Sequence, residues 1–140
     1  MTRWAIVDTG PLVAYLDRRE AAHERVVEAF RQLASPALVC EPVLTEAAHL
    51  LRHLPDAQDA LLGLVAAGAL HIAFNLESEI DAVRALRRKY RDLPMSLADG
   101  CIVRMAELHD QHVVFTLDSD FHVYRKNGRE PLPLLGLKEP

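Results

Sequence analysis

Short apolar runs alternate along this chain with longer amphipathic stretches. The runs lie at 3–7, 37–40, 70–74, 113–117 and 132–135, and each has the length and composition of a buried strand. Between them, apolar residues recur at helical spacing near 11–17, 21–34, 42–54, 56–67, 77–91 and 96–110. Pro11, Pro36, Pro42, Pro55 and Pro94 stand at or near the starts of elements, where a missing N–H matters least. Strands alternating with helices predict an α/β fold whose parallel sheet is covered on both faces. No repeat, low-complexity stretch or long linker interrupts the pattern, so one domain over 1–140 is expected.

Composition narrows the setting. A chain of 140 residues, half of them hydrophobic, can bury a full core. Its net charge of −4 argues against a generic nucleic-acid binder with a wholly basic surface, but leaves room for a local basic groove. Cys40 and Cys101 lie in apolar contexts without zinc-site spacing, and read as reduced core thiols of a cytosolic protein. No apolar run reaches the roughly 18 residues of a membrane span, so no membrane association is expected. The start, Met1-Thr2-Arg3-Trp4, leads straight into a strand and shows no signal peptide.

Four acids stand where acids are expensive. Asp8 ends the run Trp4-Ala5-Ile6-Val7, and Asp118 follows Val113-Val114-Phe115-Thr116-Leu117. Glu46 and Asp99 sit inside helical segments rich in Ala, Leu, Ile and Val. Ligands of open parallel sheets bind outside the carboxyl ends of the strands, where strand order reverses. Asp8 and Asp118 would meet there if the first and fourth strands pair. Burying unpaired carboxylates costs several kcal/mol, and a hard divalent cation such as Mg²⁺ or Mn²⁺ is the natural neutraliser of an all-oxygen cluster.

Each acid also has a plainer reading. Asp8 before Thr9-Gly10-Pro11 fits a helix N-cap, with Thr9 able to support a metal ligand by hydrogen bonding. Glu46 lies at the edge of the Val43, Ala47, Leu50, Leu54 stripe and reads equally as a solvated first-turn acid. Ser96-Leu97-Ala98-Asp99 fits a capping box, while Asp99 shares a helix face with Ile102, Val103 and Ala106. Asp118 and Asp120 fit ordinary turn chemistry, with Asp118 nearer the strand end. A cap and a cleft-facing acid are compatible.

Other chemistries fit less well. Aspartyl phosphatases follow a strand with Asp-x-Asp, whereas Asp8-Thr9-Gly10 lacks the second acid. A receiver domain needs an Asp after the third strand, which here runs His71-Ile72-Ala73-Phe74-Asn75. There is no dinucleotide-binding glycine motif, and His23, His49, His53, His109, His112 and His122 are too scattered for a nucleophilic triad.

The set Asp8-Thr9, Glu46, Leu97-Ala98-Asp99 and Thr116-Leu117-Asp118-Ser119-Asp120-Phe121, in this order and spacing, resembles PIN-domain nucleases. It is most similar to the VapC-type toxins of toxin–antitoxin systems, over essentially the whole chain, including Tyr124-Arg125 and the final apolar strand. The resemblance implies a three-layer α/β/α sandwich with a five-stranded parallel sheet of order 3-2-1-4-5. It implies a Mg²⁺- or Mn²⁺-dependent endoribonuclease with catalytic acids at Asp8, Glu46, Asp99 and Asp118. Asp8, Asp99, Asp118 and Asp120 become candidate metal ligands, Asp120 as substitute or partner of Asp118, and Thr116 a supporting hydroxyl. Cleavage by water to a 5′-phosphate and a 3′-hydroxyl, a homodimer and an antitoxin partner are implied too, although many PIN domains are not toxins.

The residues add one expectation of their own. Arg84, Arg87, Arg88 and Arg91 recur at helical spacing and form a basic stripe suited to RNA phosphates or to an acidic antitoxin segment. The plainer reading is a solvated face partly paired with Asp81 and Asp92. The helices at 21–34 and 42–54 are candidate dimer elements.

Overall fold

The computed structural model describes residues 3–138. Three wholly buried strands form the middle of the sheet: β1 (Ala5–Val7), β2 (Ala37–Val39) and β4 (Val113–Phe115). Their burial explains the unbroken apolar runs, since a parallel sheet covered on both faces leaves no solvent side for polar residues. The strand β3 (Leu70–Ile72) forms one edge and β7 (Leu134–Leu135) the other, giving a five-stranded sheet of order β3-β2-β1-β4-β7. All four pairings are parallel. The expected adjacency of first and fourth strands is present, with Ala5 opposite Val113 and Val7 opposite Phe115.

Six helices join the strands: α1 (Thr9–Leu16), α2 (His23–Arg31), α3 (Glu41–Leu50), α4 (Pro55–Ala66), α5 (Ile80–Lys89) and α6 (Leu97–Leu108). Strand alternation assigns residues to the two faces. Ala5, Val113 and Phe115 pack with Ala14 of α1 and Val26 of α2. Ile6 and Val114 join the larger cluster that contains Ile102, Met105 and Ala106 of α6. The helix α5 lies along α6, and Gly100 permits the approach: a side chain there would press on Val83 and Arg87.

Most elements are shorter than their sequence patterns, for local reasons. The second strand stops at Val39 because Cys40 takes the N-cap position of α3. The first helix begins at Thr9 rather than 11 because Asp8 caps it. At the fifth sheet strand, Pro133 contributes only its carbonyl, which accepts from Val114 N at 2.8 Å, so regular pairing is confined to Leu134–Leu135. The sequence pattern did not reveal a 3-10 turn, Ser119–His122, or the small antiparallel hairpin of β5 (Arg125–Lys126) and β6 (Glu130–Pro131). Among the described residues, no helix is long and apolar enough to cross a membrane.

The β7 edge supports the end of β4. Thr116 N donates to Leu135 O at 3.0 Å. The next residue, Gly136, has φ +99°, and a Cβ there would strike the Thr116 carbonyl oxygen and the Phe115 ring. Gly136→Ala should therefore cost on the order of 1–3 kcal/mol from backbone strain alone. Urea unfolding measures this; an unchanged midpoint would mean that the edge strand relaxes freely around the new side chain.

Candidate active site

The carboxyl ends of β1 and β4 bring Asp8 and Asp118 to the carboxyl end of the sheet, and the N-terminus of α6 brings Asp99 near enough for their charges to act on one another. Asp8 is only 6% exposed. Its Oδ1 accepts from Thr9 N at 2.7 Å, and its Oδ2 from Thr116 Oγ1 at 2.7 Å. Thr116 Oγ1 in turn accepts from Asp118 N at 3.0 Å, so one hydroxyl links both acids. Thr9 Oγ1 donates to Glu46 Oε2 at 3.0 Å, drawing the exposed Glu46 into the network. Thr9 and Thr116, the two hydroxyls expected to support the acids, are thus hydrogen-bonded to them.

Asp99 completes the capping box with Ser96: Asp99 N donates to Ser96 Oγ at 3.0 Å, and Ser96 N to Asp99 Oδ2 at 3.4 Å. The same Oδ2 accepts from Tyr124 OH at 3.0 Å. Sequence reasoning placed Tyr124 only within the resemblance and gave it no partner. It is wholly buried, and its ring packs edge-to-face on Phe121 and Tyr90. Burial and the neighbouring Asp99 push its hydroxyl up, which keeps it a proton donor.

The acids sense one another. Burial, reinforced by the charges of Asp99 and Asp118, pushes the Asp8 carboxyl up to about 6 despite its two hydrogen bonds. Asp99 is also raised, chiefly by burial, with Asp118 contributing. Asp118 therefore acts on both of the other acids, whereas the charge of Asp120 is felt at Tyr124. Asp118 also contributes at Tyr124, so it is felt at all three groups. Glu46 lies in the second turn of α3, not the first turn expected from sequence; Glu41 is the first-turn acid.

Family comparison bears on the same residues. A model of the PIN domain matches residues 5–127, a span that contains every acid of the cluster. The chain belongs to the PIN-domain family. It is also similar to ribonuclease VapC26 of Mycobacterium tuberculosis (strain ATCC 25618 / H37Rv), at 32% identity over 115 residues, covering 81% of this chain and 85% of the relative.

The donor set of this PIN domain fits a hard divalent cation. Among the described residues, Asp8, Glu46, Asp99, Asp118 and Asp120 form no salt bridge with Lys, Arg or His. Carboxylates that raise one another with no protein cation between them could accommodate an external positive charge, and oxygen donors are the kind that Mg²⁺ or Mn²⁺ takes. Among the described residues, no three such side chains stand close enough together to hold one ion directly. Asp8, Asp99 and Asp118 could hold it partly through water.

The arginine stripe also belongs to this end of the PIN domain. Arg84, Arg87, Arg88 and Arg91 line an open recess of about 410 Å³ with Pro94 and Met95. Arg84 approaches Asp81 at 3.6 Å, an exposed pair of little energetic weight. Arg87 Nε donates to Met95 O at 3.3 Å, tying α5 to the segment that leads into Asp99. Among the described residues, Arg88 and Arg91 have no acidic partner, and the expected pairing with Asp92 is absent.

The raised carboxyl of Asp8 sets the sign of a pH effect. Between its ordinary value of 3.8 and about 6, the folded protein holds a proton that the unfolded chain has released. In EDTA this group's contribution should thus weaken stability as pH rises through that window, by on the order of 3 kcal/mol in total at about 1.36 per pH unit. Thermal melts of wild type and Asp8→Asn between pH 4 and 7 isolate the contribution. Parallel pH profiles for the two proteins would show that Asp8 carries no such burden.

Proposed function

We propose that this protein is a Mg²⁺- or Mn²⁺-dependent endoribonuclease, and that it is the toxin of a toxin–antitoxin pair. The observation that carries the reading is the convergence of Asp8, Asp99 and Asp118 at the carboxyl end of the sheet with no basic partner among the described residues. The similarity to ribonuclease VapC26 supports RNA as the substrate and an antitoxin as the partner.

In this reading the protein side chains prepare the site before any substrate arrives. Thr116 and Thr9 fix both oxygens of Asp8 and steady Glu46, while Tyr124 and Ser96 fix one oxygen of Asp99. Asp99 Oδ1 and Asp118 Oδ2 are left without a hydrogen-bond partner among the described residues, and are the oxygens available to an ion. Asp8, Asp99 and Asp118 would hold the cation, with Asp120 at the margin and Glu46 acting through water. When bound, the cation supplies charge for phosphate oxygens and acidity for a water nucleophile. Hydrolysis by water, with the 3′-oxygen as leaving group so that a 5′-phosphate and a 3′-hydroxyl remain, is the reading that membership of the PIN-domain family supports. The guanidinium groups of Arg88 and Arg91 are free to hold flanking phosphates against the repulsion of the acids.

The reading extends to a homodimer in the cytoplasm. Leu50 of α3 and Leu62 of α4, 48% and 60% exposed, are better interface candidates than α2, whose Val26, Ala29 and Phe30 pack on the core. A non-toxin RNA-processing PIN nuclease and an inactive PIN-like binding domain are the alternatives. The intact acids speak against the second.

Purified protein should cleave single-stranded RNA with Mg²⁺ or Mn²⁺, lose activity in EDTA and regain it on readdition. Asp8→Asn and Asp99→Asn should each reduce cleavage by orders of magnitude with the fold retained. Wild-type rates in both folded variants would remove this site from the chemistry, and restoration by Zn²⁺ alone would contradict an all-oxygen site.

The arginines have a separate test. Arg88→Ala with Arg91→Ala should weaken RNA binding and flatten its dependence on salt. These two are chosen because Arg87 also anchors the Met95 carbonyl. An unchanged salt slope would return the stripe to an ordinary solvated face.

A further inference from the structure

Beside the acid cluster, away from the arginines, lies a second recess of about 480 Å³. Its walls are Pro42 at the start of α3, Phe74 and Leu76 beyond the end of β3, and Leu97 at the start of α6. Leu97 is 40% exposed and stands in the same helical turn as Asp99. Glu46 and Ala98 also line the recess, so it runs directly into the cluster: Glu46 is held by Thr9, and Ala98 precedes Asp99.

The first turn of α6 divides two unlike surfaces. Pro94 and Met95 line the arginine recess, Leu97 and Ala98 line the apolar one, and Asp99 stands in the same turn. A nucleotide has the same duality, with an anionic phosphate and a flat apolar base. The rim of the apolar recess carries Glu41 and Glu46 and no basic residue, so it repels phosphate. An aromatic ring among aliphatic side chains is how proteins hold an unstacked base.

We infer that this recess receives a nucleobase next to the scissile phosphate, and that its rim selects bases bearing an exocyclic amino group over uracil. The inference rests on the nuclease reading and deepens it by assigning substrate preference to residues outside the acid cluster. The rim chemistry sets the direction. Carboxylates of Glu41 and Glu46 only accept hydrogen bonds. Thr45 Oγ1 donates its proton to Glu41 O at 3.1 Å, so it too offers only lone pairs toward the recess. The rim's side chains thus offer only acceptors, which suit the exocyclic amino groups of adenine, cytosine and guanine and disfavour the two carbonyls of uracil, whose N3–H is its one donor.

Binding in EDTA separates this from cleavage. Wild-type protein should bind short oligo-A and oligo-C about tenfold more tightly than oligo-U, as one discriminating base contact allows. Glu41→Gln introduces a donor and should narrow that ratio by strengthening oligo-U. Phe74→Leu, which keeps the apolar bulk, should weaken all three several-fold through lost stacking. Because Phe74 is partly buried, Leu97→Ser on the exposed helix start provides an independent variant with the same expected direction.

Equal affinity for the three oligomers, with no response to Glu41→Gln, would overturn the base-selecting rim. Unchanged affinities in both Phe74→Leu and Leu97→Ser would overturn base occupancy and leave the recess to an apolar peptide. Cleavage that depends on metal and Asp99 but shows neither effect would retain the nuclease and remove the recess. Base-selective binding without metal-dependent cleavage would do the reverse.

Discussion

The buried carboxylate of Asp8 is the constraint around which the rest is arranged. It ends the central strand, and its own N–H still belongs to the sheet, donating to Phe115 O at 2.9 Å. Both of its oxygens are fixed by short hydrogen bonds from residues whose positions depend on the fold. Thr116 reaches it only because β1 and β4 are neighbours, and Thr116 is itself held by the β7 edge through Leu135. The order β3-β2-β1-β4-β7 thus does more than enclose a core. It puts a hydroxyl, rather than a basic side chain, against a charge that burial makes costly.

Helix capping and site construction are the same geometry here. Asp8 caps α1, Asp99 is the third helical residue of the α6 capping box, and Asp118 caps the 3-10 turn through Asp120 N at 2.9 Å. The unpaired N–H groups of these starts favour carboxylates. They anchor the acids in the absence of a cation and so offset part of the mutual repulsion. In Asp99 and Asp118 the capping bonds leave one oxygen each without a partner among the described residues. The plain readings of Asp8, Asp99 and Asp118 as caps were therefore correct locally, and they also describe how a charged cluster can be held in place.

What the sequence made legible followed from periodicity and from acids in apolar surroundings. Alternating runs gave the strand–helix order, and Asp8 and Asp118 were readable because each terminates a buried run. Boundaries were less legible because capping decides them: Cys40 looks like strand by composition but starts a helix. Tyr124 was hidden because its partner Asp99 lies 25 residues away, and only the packing of Phe121, Tyr124 and Tyr90 brings the hydroxyl there. The apolar recess was hidden for the same reason. Pro42, Phe74 and Leu97 come from three separate segments, each unremarkable in its own window.

Net charge alone describes little of this surface, because the protein sorts its charges by location. Carboxylates gather where the strands end, and guanidinium groups gather along α5. The close approach at Gly100 brings Arg87 of α5 against the first turn of α6, the turn that also carries Asp99. Arg87 makes the connection physical, since its guanidinium holds the Met95 carbonyl just before the α6 cap. A change in how α5 sits would be transmitted to the turn that presents Asp99. If α5 holds phosphates as proposed, phosphate holding and acid placement would share the contact between Arg87 and the Met95 carbonyl.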